Sequence, residues 1–295
     1  MTRILLTGAG GMLGHDLQSV LADYDLTAMS RAELDITDQD AVNQAVAGHD
    51  VVVNAAAYTQ VDQAEAEPEE AMRINAEGPA ALSRACATHH ARLIHVSTDY
   101  VFDGNATTPY PEGTPRNPQS VYGRTKAAGE EALEKIYPEG SLIIRTAWLY
   151  GKHGTHFPGT MLELSKTHDT LSVVTDQVGQ PTWSRDLARM IRTLIDSDIR
   201  SGIFHGTNSG RTSWYDFAKE VFRLAGLDPE RIKPTTSDAF VRPAPRPAWS
   251  VLGHDAWNDA GLETPRPWQE ALQEAFPEVF PGFAVAADPR SGATS

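Results

Sequence analysis

The chain has 295 residues, enough for one large domain or two moderate ones around a substantial core. Hydrophobic residues make up 41% and charged residues 22%, which excludes a disordered chain. With 39 acidic against 25 basic side chains the formal charge is -14, a field that repels nucleic-acid backbones and anionic membrane surfaces, so neither is an expected partner.

The chain opens with RILLT (3–7), a strand, and the glycine-rich turn TGAGGMLG leading into a helix. No export signal or apolar run of ~20 residues precedes or interrupts this pattern. Cys86 is the only cysteine, so neither an intrachain disulfide nor a thiolate metal cluster can form, and a cytoplasmic protein is expected. Further strands are expected at LTAM (26–29), DVVVNAAA (50–57), RLIHVS (92–97) and SLIIRTAWLYG (141–151), with helix-patterned segments between them. Several of these runs are apolar on both faces, as buried parallel strands are, and the alternation implies βαβ units in a doubly wound sheet.

After Gly151 the alternation loses its regularity. Helices are expected at GTMLELSKTH, SRDLARMIRTLID and SWYDFAKEVFRLAG, and strands at TLSVVTD and GIFHGT. A proline-dense stretch, VRPAPRPAWSVL (241–252), and an amphipathic WQEALQEAF follow. The expected division is a first lobe over 1–150, a smaller lobe over 151–283 with the chain returning to the first around 172–202, and a flexible tail over 284–295 with little to bury.

Gly8, Gly11 and Gly14 stand in GxxGxxG spacing between the first strand and the first helix, where glycines permit a tight turn and close approach of backbone N–H groups to a pyrophosphate. The same glycines can equally be purely structural. An acidic residue at the end of the second strand bonds the ribose 2′-hydroxyl of NAD, whereas arginine accommodates a 2′-phosphate. Here Ser30 and Arg31 occupy that end, so NADPH is expected, with NADH the alternative if Arg31 is only a solvated surface residue. Asp35 and Ile36 are placed to flank the adenine.

RLIHVSTDYVFDG brings Thr98 and Asp99 to the carboxyl end of the fourth strand, the edge at which open α/β sheets bind ligands. On the next helix Tyr122 and Lys126 are four residues apart and share a face. A ketone that accepts hydride needs a proton on its oxygen. A tyrosine supplies it when a nearby ammonium lowers its pKa from ~10. Thr98 would orient the carbonyl oxygen. Taken alone, a Tyr-x-x-x-Lys pair is more often surface packing; glycine turn, strand end and helix in this order reverse that reading.

TGAGGMLG, NAAAYT, STDYVFDG, YGRTK and RTAWLYG resemble the extended short-chain dehydrogenase/reductases, and among them the dTDP-4-dehydrorhamnose reductases, over about residues 1–280. The resemblance implies a Rossmann-like doubly wound parallel sheet with a smaller mixed α/β substrate-binding lobe. It also implies NADPH-dependent reduction of the C4 keto group of dTDP-4-dehydro-L-rhamnose. Carried over by motif, Thr98, Tyr122 and Lys126 are catalytic; Gly8, Gly11, Met12, Leu13, Ala55, Ala56 and Ala57 touch the cofactor, as do Tyr122 and Lys126; Thr98, Asp99 and Trp148 meet the sugar nucleotide. Related 4,6-dehydratases typically carry glutamate where Tyr100 stands, and its absence favours net reduction over dehydration.

Other polar residues leave alternatives open. Arg242 and Arg246 either hold a diphosphate or lie in a surface loop, and Gln180 and Thr182 either line the cleft or pack. The ten histidines form no zinc pattern, since those of THHA are adjacent and His153 and His156 lack nearby carboxylates. AEAEPEE (64–70) reads as a solvated helix start. Relatives have been linked to a divalent cation, but no residue set here predicts a metal. A homodimer, a reductase of a related dTDP-ketosugar of the dihydrostreptose type, and a non-catalytic subunit resembling the methionine adenosyltransferase beta subunit complete the alternatives.

Overall fold

The computed structural model describes residues 1–283; the expected tail over 284–295 lies outside the described residues. Six strands form one parallel sheet: β1 (Arg3–Thr7), β2 (Asp25–Met29), β3 (Val51–Asn54), β4 (Arg92–Thr98), β5 (Ser141–Thr146) and, after a long excursion, β10 (Gly202–His205). Their order is β10-β5-β4-β3-β1-β2. Successive side chains of a strand point to opposite faces, and here both are apolar. Ile4, Leu6, Val51, Val53, Ile94, Leu142 and Ile144 pack against α1 (Met12–Val20) and α8 (Ser184–Asp196). Leu5, Val52, Leu93 and Ile143 pack against α2 (Gln39–Val46), α5 (Gly78–His89) and α6 (Val121–Ile136). This period-two pattern makes the sheet doubly wound.

Between β3 and α5 run two short helices, α3 (Val61–Ala64) and α4 (Pro68–Met72), and a π-helical turn, Arg73–Glu77. The helix-patterned segment between the third and fourth strands is therefore interrupted. The π turn carries Asn75, whose amide pairs with both backbone groups of Tyr58 and with the Thr125 hydroxyl of α6.

The expected strand over 141–151 splits into β5 and a short β6 (Leu149–Tyr150), which pairs with β9 (Thr182–Trp183). The remaining elements are α7 (Phe157–Ser165), β7 (Leu171–Val174), β8 (Val178–Gly179), β11 (Thr212–Ser213), α9 (Trp214–Leu224), β12 (Ile232–Thr235), α10 (Asp255–Asp259) and α11 (Trp268–Val279). Parallel β7 and β12 and antiparallel β8 and β11 make two small ladders. Around them Leu162, Trp183, Phe217, Val221, Trp268, Leu272 and Phe276 form a separate apolar cluster. Arg266 grips Asp186 of α8 through two bonds of 2.8 and 2.9 Å, tying this cluster to the main sheet.

The turn after β1 depends on its glycines. Gly8 has φ of 76° and lies against β3, where an added β-carbon would meet the Ala56 nitrogen at 2.5 Å. A β-carbon on Gly14 would stand 2.3 Å from the Gly8 carbonyl oxygen, so α1 can start only this close to the strand with glycine there. Gly14→Ala is expected to cost about 1–3 kcal/mol through overpacking against rigid backbone. Urea unfolding of the two proteins measures this, and an unchanged midpoint would contradict it.

Candidate active site

Strands β1, β3, β4 and β5 end along one edge of the sheet, and the polar residues gather there. Two bonds fix the start of α6: Ser120 Oγ accepts from the Gly123 N–H at 3.0 Å, and Glu65 of the acidic AEAEPEE segment accepts from the Val121 N–H at 2.8 Å. Gly123 lets the helix approach the strand end, since a β-carbon there would lie 2.3 Å from the Tyr100 carbonyl oxygen. The approach brings Tyr122 against Thr98, Asp99 and Tyr100. Its ring meets Tyr100 edge-on at 5.5 Å.

Thr98 and Asp99 are both buried, and the Thr98 hydroxyl donates to Asp99 Oδ1 at 2.9 Å. Asp99 Oδ2 makes no hydrogen bond. Burial pushes the Asp99 carboxyl up to about 6 against the pull of the nearby Ser250 hydroxyl, which falls short of a hydrogen bond, and of the Thr98 hydroxyl. Burial likewise pushes the Tyr122 phenol up to about 12, the Thr98 hydroxyl drawing it down and the Asp99 charge adding to the rise. Lys126, expected from sequence to lower the tyrosine, is not among the groups that shift the phenol in the ligand-free protein. Its Nζ donates to the Val96 carbonyl at 2.7 Å and stands 3.2 Å from His95 Nε2. Burial lowers the ammonium to about 8, opposed by Glu130.

Tyr100 also borders a cavity of about 620 Å³ lined by Trp148, Trp214, Gln177, Arg242 and Arg246. Trp148 has φ of 46°, a left-handed conformation uncommon for a bulky residue, and such strain concentrates at functional sites. Its ring stacks on Trp214 at 3.5 Å with 8° between planes. Asp62 binds Arg246 at 2.8 Å and approaches Arg242 at 3.6 Å, so two cations share one carboxylate and the cavity mouth keeps positive charge. Gln180 and Thr182 are packing residues: both are buried, with Gln180 bound to Leu252 and Thr207.

At the other end of the edge, a β-carbon on Gly10 would meet nothing within 4 Å and one on Gly11 only the Gly8 carbonyl at 3.4 Å, so an open cradle faces the uncapped start of α1. A pyrophosphate fits such a cradle. Half-buried Ala55 and Ala56 border the turn, and Ala57, also half-buried, follows them in the chain. The Leu13 side chain points into the core, leaving its backbone N–H to the cradle, while Met12 lies near Gly151 and Gly154. Ile36 is also a core residue, packed beneath Gly78 of α5. Arg31 is 77% exposed and reaches Glu70 at 3.4 Å; Asp35 binds Thr37 and stands 3.5 Å from Arg73. Ser30 already holds a carboxylate, that of Glu33, through its N–H and hydroxyl at 2.8 and 2.7 Å.

Sequence reading missed Arg73, Trp214, Ser250 and His95. His95 alone had a local signal, an ionisable residue inside an apolar strand.

The class this geometry defines is the extended short-chain dehydrogenase/reductases, a doubly wound sheet whose glycine turn and Tyr-x-x-x-Lys helix meet at one edge. Within it, the chain belongs to the family described as the RmlD substrate binding domain, matched over residues 1–280. It is 50% identical over 285 residues to a dTDP-4-dehydrorhamnose reductase of Streptomyces griseus, covering 94% of each chain. It is 49% identical over 283 residues to a probable dTDP-4,6-dihydroxy-2-methyloxan-3-one 4-ketoreductase of Streptomyces antibioticus, covering 94% of this chain and 96% of the relative. The crystal structure of the Bacillus anthracis dTDP-4-dehydrorhamnose reductase in complex with NADP superposes with a TM-score of 0.90 at 37% identity, covering 94% of this chain and 100% of that one.

The buried Asp99 carboxyl has a thermodynamic consequence. Because its folded pKa of about 6 lies above the unfolded value, its contribution to stability is present below the unfolded pKa and is lost as pH rises through about 6. Relative to wild type, Asp99→Asn should gain on the order of 2–3 kcal/mol between about pH 4 and 6 and level off above. Unfolding curves across that range measure it; a pH-independent difference would refute the perturbed carboxyl.

Proposed function

We propose that the protein reduces the C4 keto group of dTDP-4-dehydro-L-rhamnose with NADPH, giving dTDP-L-rhamnose for cell-surface polysaccharide biosynthesis. One observation carries this reading: a buried phenol, a threonine hydroxyl and an unpaired carboxylate oxygen converge at the strand end beside a cavity with an aromatic wall and a cationic mouth.

NADPH supplies the hydride when bound. The residues that would hold it are the Gly8 to Gly14 turn with the first N–H groups of α1, Ala55 to Ala57, Lys126 at the nicotinamide ribose, and Arg31 with Ser30 at the 2′-phosphate. Tyr122 gives its proton to the carbonyl oxygen, and Thr98, turning its single hydroxyl hydrogen from Asp99 Oδ1, donates to the same oxygen to orient it. The Tyr122 phenol carries its proton at neutral pH, the state from which reduction starts; its raised pKa in the ligand-free protein makes it a weaker acid than an ordinary tyrosine, so proton donation calls for a cation brought near it in the complex. Arg242 and Arg246 are suited to a diphosphate, and releasing Asp62 would free both for it. Trp148 offers a flat apolar face to the deoxysugar. Tyr100 adds no carboxylate base, in keeping with net reduction. No helix among the described residues is long and apolar enough to cross a membrane.

Tyr122→Phe should lower turnover of the enzymatically generated 4-keto sugar by about 10²–10⁴-fold, followed as loss of NADPH absorbance. NADPH affinity should change little, and near-normal turnover would end the proton-donor assignment. NMR of the product with candidate ketosugars distinguishes dTDP-L-rhamnose from related reduced sugars.

Arg31→Ala tests the cofactor's phosphate contact. Losing a charge-assisted bond should raise the dissociation constant for NADPH about tenfold or more while leaving that for NADH unchanged. An equal effect on both cofactors would place the 2′-phosphate elsewhere.

A further inference from the structure

His95 lies in the middle of β4, wholly buried, and takes no part in the chemistry above. Its hydrogen bonds fix which ring nitrogen carries the proton. The backbone N–H of Ala56 donates to Asn54 Oδ1 at 3.1 Å, and the Thr7 hydroxyl donates to the same oxygen at 2.8 Å. The Asn54 amide therefore cannot be turned over without setting its NH₂ against a backbone N–H. That orientation points Asn54 Nδ2 at His95 Nδ1, 2.9 Å away, so Nδ1 accepts and the neutral ring carries its hydrogen on Nε2. Burial and Lys126 hold the imidazole well below its ordinary pKa, so it stays neutral.

The Nε2–H then faces Lys126 Nζ at 3.2 Å. An ammonium has three donors and no acceptor, so this contact is unsatisfied when Lys126 is charged and becomes a hydrogen bond when it is a neutral amine. The amine keeps a hydrogen for the Val96 carbonyl at 2.7 Å. The other ionisable groups facing Lys126 are few. Glu130, one turn further along α6, favours the ammonium but is engaged by Arg145 of β5 and by Arg116; Tyr122, one turn earlier, is a neutral phenol at these pH values.

We propose that His95 is a positioning residue for Lys126, set by Asn54 to present an N–H that disfavours the ammonium in the cofactor-free enzyme, so that binding the nicotinamide cofactor is coupled to proton uptake at Lys126. The proposal rests on the reading above in which Lys126 donates to the nicotinamide ribose, a role that favours the charged form. Binding and protonation then support each other. The affinity for NADPH is constant where free Lys126 is already charged and falls as pH rises through its free-enzyme pKa, about tenfold per pH unit.

The test is the dissociation constant of NADPH, measured by fluorescence titration of the whole protein from about pH 6.5 to 9.5, with calorimetry near pH 9 in two buffers of different ionisation enthalpy. Wild type should bind with constant affinity at low pH, weaken above a break near 8, and take up close to one proton at alkaline pH. His95→Gln, whose amide can turn its oxygen to the ammonium, should move the break upward by about one pH unit or more and reduce the uptake. Asn54→Leu, which removes the donor that fixes the imidazole tautomer and adds no charge, should act in the same direction, so the proposal does not hang on one variant folding. A break at the same pH in all three proteins, or a uniform loss of affinity at every pH in the variants, overturns the proposal and leaves His95 a packing residue. Failure of wild type to bind NADPH at any pH would instead overturn the cofactor reading, and this proposal with it.

Discussion

The arrangement at the sheet edge depends on one buried carboxylate. Glu130 of α6 is shielded from solvent and receives the guanidinium of Arg145 at 2.7 to 3.3 Å, the Ser97 hydroxyl and Arg116. Burial alone would raise its pKa, but the bonds and charge of Arg145 hold it below the ordinary carboxylate value. The cluster joins three elements: α6 through Glu130, β4 through Ser97 and β5 through Arg145. Four residues toward the helix start lies Lys126, and four more lead to Tyr122, so locking Glu130 onto the strands sets the rotation of α6 and faces both residues to β4. Removing one partner of such a cluster leaves an uncompensated buried charge at a cost of about 3–5 kcal/mol, which makes it intolerant of drift.

Close approach of backbones completes what the ion pair begins. Gly123 brings the first turn of α6 onto the carbonyl of Tyr100, and Asn75 in the π turn braces Thr125 from the other side. A π-helical insertion shifts the register of a helix by a residue and is frequent near functional sites. Here it delivers Asn75 to α6 and Arg73 to the end of β2, where Arg73 shares Glu70 with Arg31. The charged cluster at the end of β2, proposed above to meet the cofactor's 2′-phosphate, and the position of α6 thus meet in one five-residue turn.

The alternation of apolar runs and helices made the sheet legible, because buried parallel strands write their environment into consecutive residues. GxxGxxG, STDY and YGRTK were legible for a related reason: each is a local stretch whose chemistry is carried by spacing within a turn of helix or a strand end. Pairings across long separations were not. Trp148 and Trp214 stack although 66 positions apart, and nothing in either local pattern names the other. The burial of the Leu13 and Ile36 side chains was not legible for the same reason, since both lie in motif segments but are claimed by the core. Lys126 is the sharpest case. Helical spacing places it beside Tyr122, yet its ligand-free partners come from β4, which no i, i+4 argument contains.

The charge balance reads differently at the two scales. Over the whole chain -14 opposes anions, yet the expected ligands are two anions, a dinucleotide and a sugar nucleotide. The structure resolves this by giving each arginine near the edge a carboxylate already in place: Glu70 for Arg31 and Arg73, Asp62 for Arg242 and Arg246. Each cation is thereby held in position without a ligand; Asp62 faces two arginines and leaves net positive charge, whereas Glu70 and Asp35 together balance Arg31 and Arg73, so a phosphate there would have to displace a carboxylate. A phosphate gains by replacing or joining a carboxylate only where donors already converge, and a chain with a surplus of acids can keep its arginines oriented in this way. Excess negative charge elsewhere then suppresses nonspecific anion binding, while at the cavity mouth the two arginines that share Asp62 give a local charge opposed to the global field.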